Sequence, residues 1–277
     1  MTFFSGLRYL RHGPFRRLAP MWVLLGRAFR FILAHSPLNF SEPHFIGPYG
    51  PFKMEGKFAF SDFASWGNKH NRGFASCIEA CREAECVFDI GAHIGLVTMP
   101  MSRAIGLKGK VYAFEPSTAN RQTLEHHIDL NKINNVVVIN SLVGSKKQDN
   151  VTFYESPAIS GMNTCAPIKH HSQYIERHHS QISLDEFCSI HRLEPRIIKI
   201  DVEGFELSVI EGAKRLLTTS KPKIFLSIHP QHLVSLGRSS EELRNLITEM
   251  DYVISDIQGK PATTFSLDEY LLTPRKQ

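Results

Sequence analysis

"CVFDIGAHIG", residues Cys86–Gly95, is the stretch on which the fold turns. An apolar run closes at Gly91, and a second glycine, Gly95, follows. Such a run, bounded by glycine, reads as a buried strand, and the apolar spacing from Leu96 to Ala104 reads as the helix after it. The unit then recurs. "KVYAFEP" is a second strand, followed by a helical stretch Ala119–Asn131, and "NVVVINSLVG" is a third strand. "RIIKIDVEG" is a fourth, before a helix Glu206–Leu217, and "KIFLSIHP" a fifth, before a helix Ser240–Met250. Strands apolar on both faces and alternating with helices predict an α/β fold, a parallel sheet with helices on both sides. "DYVISDIQG" and "DEYLLTP" read as a closing pair of strands.

At 277 residues the chain can bury a sizeable core. Its net charge of +5 is too mild to imply nucleic acid, and no such partner is expected. The charge is lopsided. Arg8, Arg11, Arg16, Arg17, Arg27 and Arg30 precede the first acid, Glu42. Five cysteines without framework spacing read as reduced thiols of a cytoplasmic protein. Cys77, Cys81 and Cys86 contain no CxxC and no paired histidine, so they read as thiols and not as zinc ligands.

Composition sets a basic, amphipathic N-terminal extension and linker over 1–50 apart from a domain over 51–277. "LAPMWVLLGRAFRFILA", Leu18–Ala34, is apolar but interrupted by Arg27 and Arg30, each costing about 2.5–3.5 kcal/mol at a bilayer centre. Nothing after Ala34 resembles a signal-peptide cleavage site. The two arginines share a helical face opposite Trp22, Leu25, Phe29 and Ile32. Two readings stand: a helix lying on an anionic bilayer through residues 1–36, at the inner face of the membrane, or a helix packed on protein. "HSPLNFSEPHFIGPYGPF", His35–Phe52, reads as a linker or irregular cap.

Between the third and fourth strands lies an insertion with "VTFYES" and "QISLDEF" at its ends, read as hairpin-like and close to the strand tops. His170, His171, His178 and His179 within it read as a solvated, substrate-facing loop, since their spacing has no helical or hairpin register.

Ligands of doubly wound sheets bind beyond the carboxyl ends of the strands. At the first such end, Gly91 and Gly95 permit a tight turn and close approach to a ligand. Glu115 ends the second strand about 20 residues on, where a carboxylate accepts both ribose hydroxyls. Asp89, before the loop, suits a ligand with an amino group and a sulfonium better than a pyrophosphate. At the fourth end, "IKIDVEGFELSVIEGA" packs Asp201, Glu203 and Glu206 together. Asp201 and Glu203 can orient an acceptor hydroxyl, take its proton or hold a divalent cation. Glu206 suits the start of a helix. His229 in "SIHP" is the other base candidate, because imidazole titrates near neutrality. The expectation is catalysis by Asp201, Glu203 and His229 with no metal.

"FDIGAHIG", "YAFEPS", "ISLDEF" and "IKIDVEGFELSVIEGA", in this order, resemble the FkbM-type methyltransferases, from about Glu83 to Tyr270. The resemblance implies a Rossmann-like, seven-stranded class I methyltransferase fold and S-adenosylmethionine as cofactor. It implies methylation of a hydroxyl on a glycan, lipid-linked sugar or secondary metabolite. Asp89, Gly91, Ala92 and Gly95, with His93 in the same loop, would line the methionine moiety. Glu115 would hold the ribose, with Ser141 and Leu142 near the adenine. Two positions depart from the family pattern: His93 replaces a common Asn, and Ser227 replaces a Glu two residues before the strand-five histidine. Two other classes compete. An NAD-dependent oxidoreductase would want GxGxxG, which is absent. A membrane-associated scaffold without activity would not need Asp89, Gly91, Gly95 and Glu115 intact.

Overall fold

A computed structural model describes residues 3–34, 40–68, 71–165 and 174–275. The chain forms two compact units: Met1–Trp66 with Asp129–Lys132, and Gly67–Ile128 with Ile133–Gln277.

The first unit holds helices α1 (Phe3–His12) and α2 (Ala19–Ala34) and strands β1 (Ser41–Ile46) and β2 (Tyr49–Glu55). Where composition suggested a linker, β1 and β2 pair antiparallel, with Ser41 opposite Glu55. Period-2 burial explains it: Glu42, His44 and Ile46 point inward from β1, and Phe52 and Met54 from β2. The hairpin thus carries this unit beyond residue 50, while His35–Asn39 lie outside the described residues. Helix α2 packs by the stripe Trp22, Gly26 and Phe29, at i, i+4 and i+7. Phe29 meets the rings of Phe60 at 4.9 Å and Phe40 at 6.3 Å, and Trp22 Nε1 donates to Phe15 O. The face expected from sequence is therefore split. Leu25 and Ile32 stay 48% and 58% exposed, beside exposed Val23, Leu24 and Phe31. Among the described residues, no helix is long and apolar enough to cross a membrane.

The second unit contains the elements α3 (Phe74–Ala80), β3 (Cys86–Ile90), α4 (Thr98–Ile105), β4 (Lys110–Phe114), α5 (Thr118–Leu130), β5 (Val136–Ile139), β6 (Leu142–Val143), β7 (Gln148–Glu155) and β8 (Ile175–Ile182). These are followed by α6 (Leu184–His191), β9 (Ile197–Ile200), α7 (Glu206–Glu211), α8 (Lys214–Thr219), β10 (Lys223–Ile228), α9 (Pro230–Ser235), α10 (Ser240–Glu249), β11 (Tyr252–Asp256) and β12 (Asp268–Pro274). The last two residues of α5 belong to the first unit by contact. The main sheet has seven strands in the order β11-β12-β10-β9-β3-β4-β5. Six run in the same direction, and β12 alone is reversed, antiparallel to both β10 and β11. This is the Rossmann-like class I methyltransferase sheet, with the order reversing between β3 and β9.

Sequence chemistry explains the sheet. β3, β9 and β10 are buried along nearly their whole length, as helices on both faces require. Ile198, Ile200, Leu226 and Ile228 join Leu207, Ile210, Leu233 and Leu243 in one core cluster. Helix α10 begins with a capping box: Ser239 accepts from Glu242 N while Glu242 accepts from Ser239 N. The helix expected over Glu206–Leu217 is broken into α7 and α8 at Gly212–Ala213.

In the insertion, β7 pairs antiparallel with β8, and β8 pairs with β6 in a separate three-stranded sheet. "IERHHSQI" is thus a strand and not irregular. His178 is exposed on it, and His179 lies 3.9 Å from Glu155. His170 and His171 fall outside the described residues. "SLDEF" is the capped start of α6, with Ser183 Oγ accepting from Glu186 N.

Candidate active site

The carboxyl ends of β3, β4 and β9 converge on one cleft. Its floor is the turn after β3. Gly91 and Ala92 both donate their N–H to Phe114 O at 3.0 Å, which binds the turn to β4. Gly91 has φ +85°, and a Cβ there would sit 1.9 Å from Asp201 O. Only glycine lets the loop pass this close to the end of β9. Gly95 serves a different purpose, because its missing side chain admits Leu124 of α5.

Five of the eight expected cofactor residues line the cleft: Gly91, His93, Glu115, Ser141 and Leu142. Asp89, Ala92 and Gly95 do not. Asp89 is 1% exposed and accepts a 2.6 Å bond from Thr98 Oγ1, so it braces the start of α4. Burial is the main reason its carboxyl is pushed up to about 6, against the Thr98 bond and Lys199. The carboxylate of Glu115 accepts from His93 N at 2.7 Å and Ser117 N at 2.9 Å. Burial nonetheless pushes it up to about 7, those bonds opposing. His93 is held by burial down to about 4 and is therefore a neutral imidazole. Its Nε2 is buried and makes no hydrogen bond. Ser141 Oγ donates within reach of Leu142 O and Ser180 O, which ties the β5–β6 corner to β8.

Residues beyond the sequence reading complete the cleft. Asn120 of α5, with Ser160, Gly161, Asn163 and Cys165 between β7 and β8, faces the glycine turn. Asn120 Nδ2 donates to Ser160 O and its Oδ1 accepts from Ser160 N. No local periodicity marks this strap, because it is held by cross-chain hydrogen bonds.

At the end of β9 the acids divide. Asp201 lines the cleft, and its Oδ2 lies 3.3 Å from Lys199 Nζ. Lys199, 2% exposed in mid-sheet, donates to Ser227 Oγ at 2.7 Å and pairs with Glu269 Oε1 at 3.1 Å. Glu269 on β12 is directly opposite Ser227 on β10. The carboxylate absent from the β10 position thus arrives across the ladder. Burial works against the Lys199 charge, but Asp201 and Glu269 hold its pKa above the usual value. Burial likewise opposes ionisation of Asp201, and Lys199 and His229 outweigh it, leaving the carboxyl below its ordinary range.

Glu203 takes a left-handed backbone, φ +48°, and lines both the cofactor-side cleft and a second, more open cavity of about 1080 Å³. Its partners are two histidines. Glu203 Oε1 lies 3.5 Å from His229 Nε2, and Oε2 lies 3.1 Å from His232 Nδ1, off the line of a hydrogen bond. Burial is the main reason its carboxyl is pushed up to about 7, with His229 opposing. Glu206 is wholly buried, so it does more than favour a helix start: its Oε1 meets His229 Nδ1 at 2.7 Å. Burial lowers the His229 pKa, but Glu206, Asp201 and Glu203 raise it to about 9. The Nε2 edge of His229 faces Asp201 Oδ1 at 3.7 Å and Glu203 Oε1 at 3.5 Å.

A reversing parallel sheet with a ligand cleft at its switch point, faced by glycine, carboxylate and imidazole groups, defines a class I methyltransferase. Residues 89–254 match the methyltransferase FkbM domain, and the chain belongs to the FkbM methyltransferase family. It is 27% identical over 189 residues to a hexuronic acid methyltransferase, AglP, of Haloferax volcanii, across 66% of this chain and 74% of that protein. A solved FkbM methyltransferase from Methylobacillus flagellatus aligns at TM-score 0.45 and 24% identity, over 69% of this chain. This chain spans 44% of that protein. An S-adenosylmethionine-dependent O-methyltransferase from Thermotoga maritima aligns at TM-score 0.42 and 10% identity, over 76% of this chain and 66% of its own.

Proposed function

We propose that the protein transfers a methyl group from S-adenosylmethionine to a hydroxyl of a sugar-containing acceptor, either a glycan or a lipid-linked sugar. One observation carries the reading: Glu203, beside Asp201, lines both the glycine-turn cleft and the second cavity. A cofactor in the first and an acceptor in the second would meet at these carboxylates. The bound cofactor supplies an electrophilic methyl on a sulfonium. The chain's own groups align the acceptor oxygen and take its proton.

The residues present fit the cofactor. Gly91 leaves room at the turn that a Cβ would fill, and His93 Nε2 is a buried polar atom awaiting a partner. Glu115 keeps a carboxylate on the cleft for the ribose, and Ser141 and Leu142 form the adenine wall. Asp89 acts beneath the loop through Thr98. Asp201 and Glu203 face the acceptor hydroxyl. His229, its Nδ1 occupied by Glu206, orders the two carboxylates. The sugar acceptor draws on the likeness to a hexuronic acid methyltransferase. Incubation with methyl-labelled cofactor and a cell extract split into lipid, glycan and small-molecule fractions tests it. Label in the glycan or lipid fraction is expected; label in small molecules alone overturns the acceptor class. A thermal shift with NAD and none with S-adenosylmethionine would overturn the cofactor.

The exposed apolar residues of α2, together with exposed Arg16, Arg17 and Arg27 in a stretch with no acid before Glu42, support peripheral contact with an anionic bilayer. Co-sedimentation of the full chain with anionic vesicles, lost at high salt, is the expected result. Equal sedimentation of a chain starting at Ser41 would put the helix on protein.

A further inference from the structure

We propose that Asp201, Glu203 and His229 form a binding site for one divalent cation of the manganese-to-zinc series, placed between the two cavities. The proposal rests on the two-cavity reading of the acceptor and goes beyond it.

Three observations carry it. First, one ligand atom from each residue lies within 4.8 Å of the others, two carboxylate oxygens and one imidazole nitrogen. Second, the His229 Nε2 separations of 3.5 and 3.7 Å are too long for good hydrogen bonds. They are the spans set by two ligands each about 2.1 Å from a shared ion at a near-tetrahedral angle. The ring is nine-tenths buried, and among the described residues its Nε2 makes no hydrogen bond although it faces two acceptors. Third, Nδ1 is held at 2.7 Å by Glu206, a wholly buried carboxylate. A carboxylate on one imidazole nitrogen is how proteins fix the other toward a metal.

Mixed oxygen and nitrogen donors suit a first-row divalent ion better than calcium. Such an ion would face the second cavity, where an acceptor with a carboxylate or a second hydroxyl beside the reacting one could chelate it. That picks out acidic or vicinal-diol sugars as substrates. It also draws the reacting hydroxyl toward ionisation.

The full chain, freed of metal by chelator and dialysis, is titrated with manganous chloride while free aqueous manganese is read by electron paramagnetic resonance. Zinc is titrated by calorimetry in a second arm. One saturable equivalent is expected, weakened at least tenfold by Asp201→Asn and His229→Ala. Glu206→Gln should weaken it 10–100-fold, since it loosens the carboxylate that holds both His229 Nδ1 and Gly204 N. If His229→Ala does not fold, Glu203→Gln on the part-exposed carboxylate replaces it. No saturable uptake of either ion by the wild type overturns the site, as does uptake unchanged by Asp201→Asn. S-adenosylmethionine is titrated on the same samples. Cofactor binding without cation uptake sinks only the cation site, whereas cation uptake without cofactor binding supports the site and sinks the cofactor reading.

Discussion

The glycine turn after β3 and the acidic corner after β9 are neighbours in space, yet they are built by opposite means. The turn is backbone. Gly91 and Ala92 share one acceptor on β4, and contiguous residues specify the shape. The corner is side chain. Lys199, Asp201, Glu203, Glu206, Ser227, His229 and Glu269 reach it from β9, the loop after it, α7, β10 and β12. The difference teaches where each half is vulnerable. The turn should fail sterically, by loss of fit, whereas the corner should fail electrostatically while the fold survives.

The sharpest break is at the corner. Asp201→Asn should lower turnover by 10²–10⁴-fold, about 3–5 kcal/mol, with cofactor affinity nearly unchanged. Steady-state kinetics with a cofactor titration check this, and a parallel loss of cofactor affinity would erase the distinction between the two halves. At the turn, Gly91→Ala sets a Cβ against Asp201 O at φ +85° and should destabilise by about 3 kcal/mol. Urea unfolding measures it. A variant as stable as wild type would mean that the turn is not packed as described.

Glu115 stands between the two modes, a carboxylate held by one amide of the turn, His93 N, and by Ser117 N after β4. Glu115→Ala should weaken S-adenosylmethionine binding by on the order of 1.5–3 kcal/mol. Because burial raises its pKa to about 7, the free protein carries it protonated below neutrality. Ribose hydroxyls favour the ionised acceptor, so affinity should rise with pH through about 7 and then level off. A raised carboxyl pKa also means that this group's contribution to folding is greatest below pH 4.5, its ordinary value, and declines as pH climbs toward 7. Calorimetry at pH 6 and pH 8, on wild type and Glu115→Gln, checks the binding half. A flat wild-type profile would remove Glu115 from the ribose. The smallest effect is remote from both. Ser239→Ala at the capping box of α10 should cost about 1 kcal/mol in stability and leave turnover unchanged.

Much of the second unit was legible because its rules are local. β3, β9 and β10 are short apolar runs that end at glycine, acid or histidine, and each parallel strand needs a helix to return. Gly91 and Glu115 could be placed by counting residues from those ends. Other assignments could not. Asp89 looked like a ligand residue from its position, but the strand's alternation turns it to Thr98. His35–Phe52 looked like a linker or irregular cap because proline and glycine are frequent there. The inward set of His44, Ile46, Phe52 and Met54 within residues 41–55 shows the hairpin only once paired.

By itself, then, the sequence determined the sheet, its helices and the positions where strands stop, since hydrophobic period and turn chemistry act over a few residues. Only tertiary structure decided that Glu269 answers Lys199 from 70 residues away, because β12 inserts antiparallel beside β10. It alone turned Glu206 from a helix-start acid into the anchor of His229. Charges buried in low dielectric must find partners, and which partners they find is fixed by strand order and register, properties that no short window of residues contains.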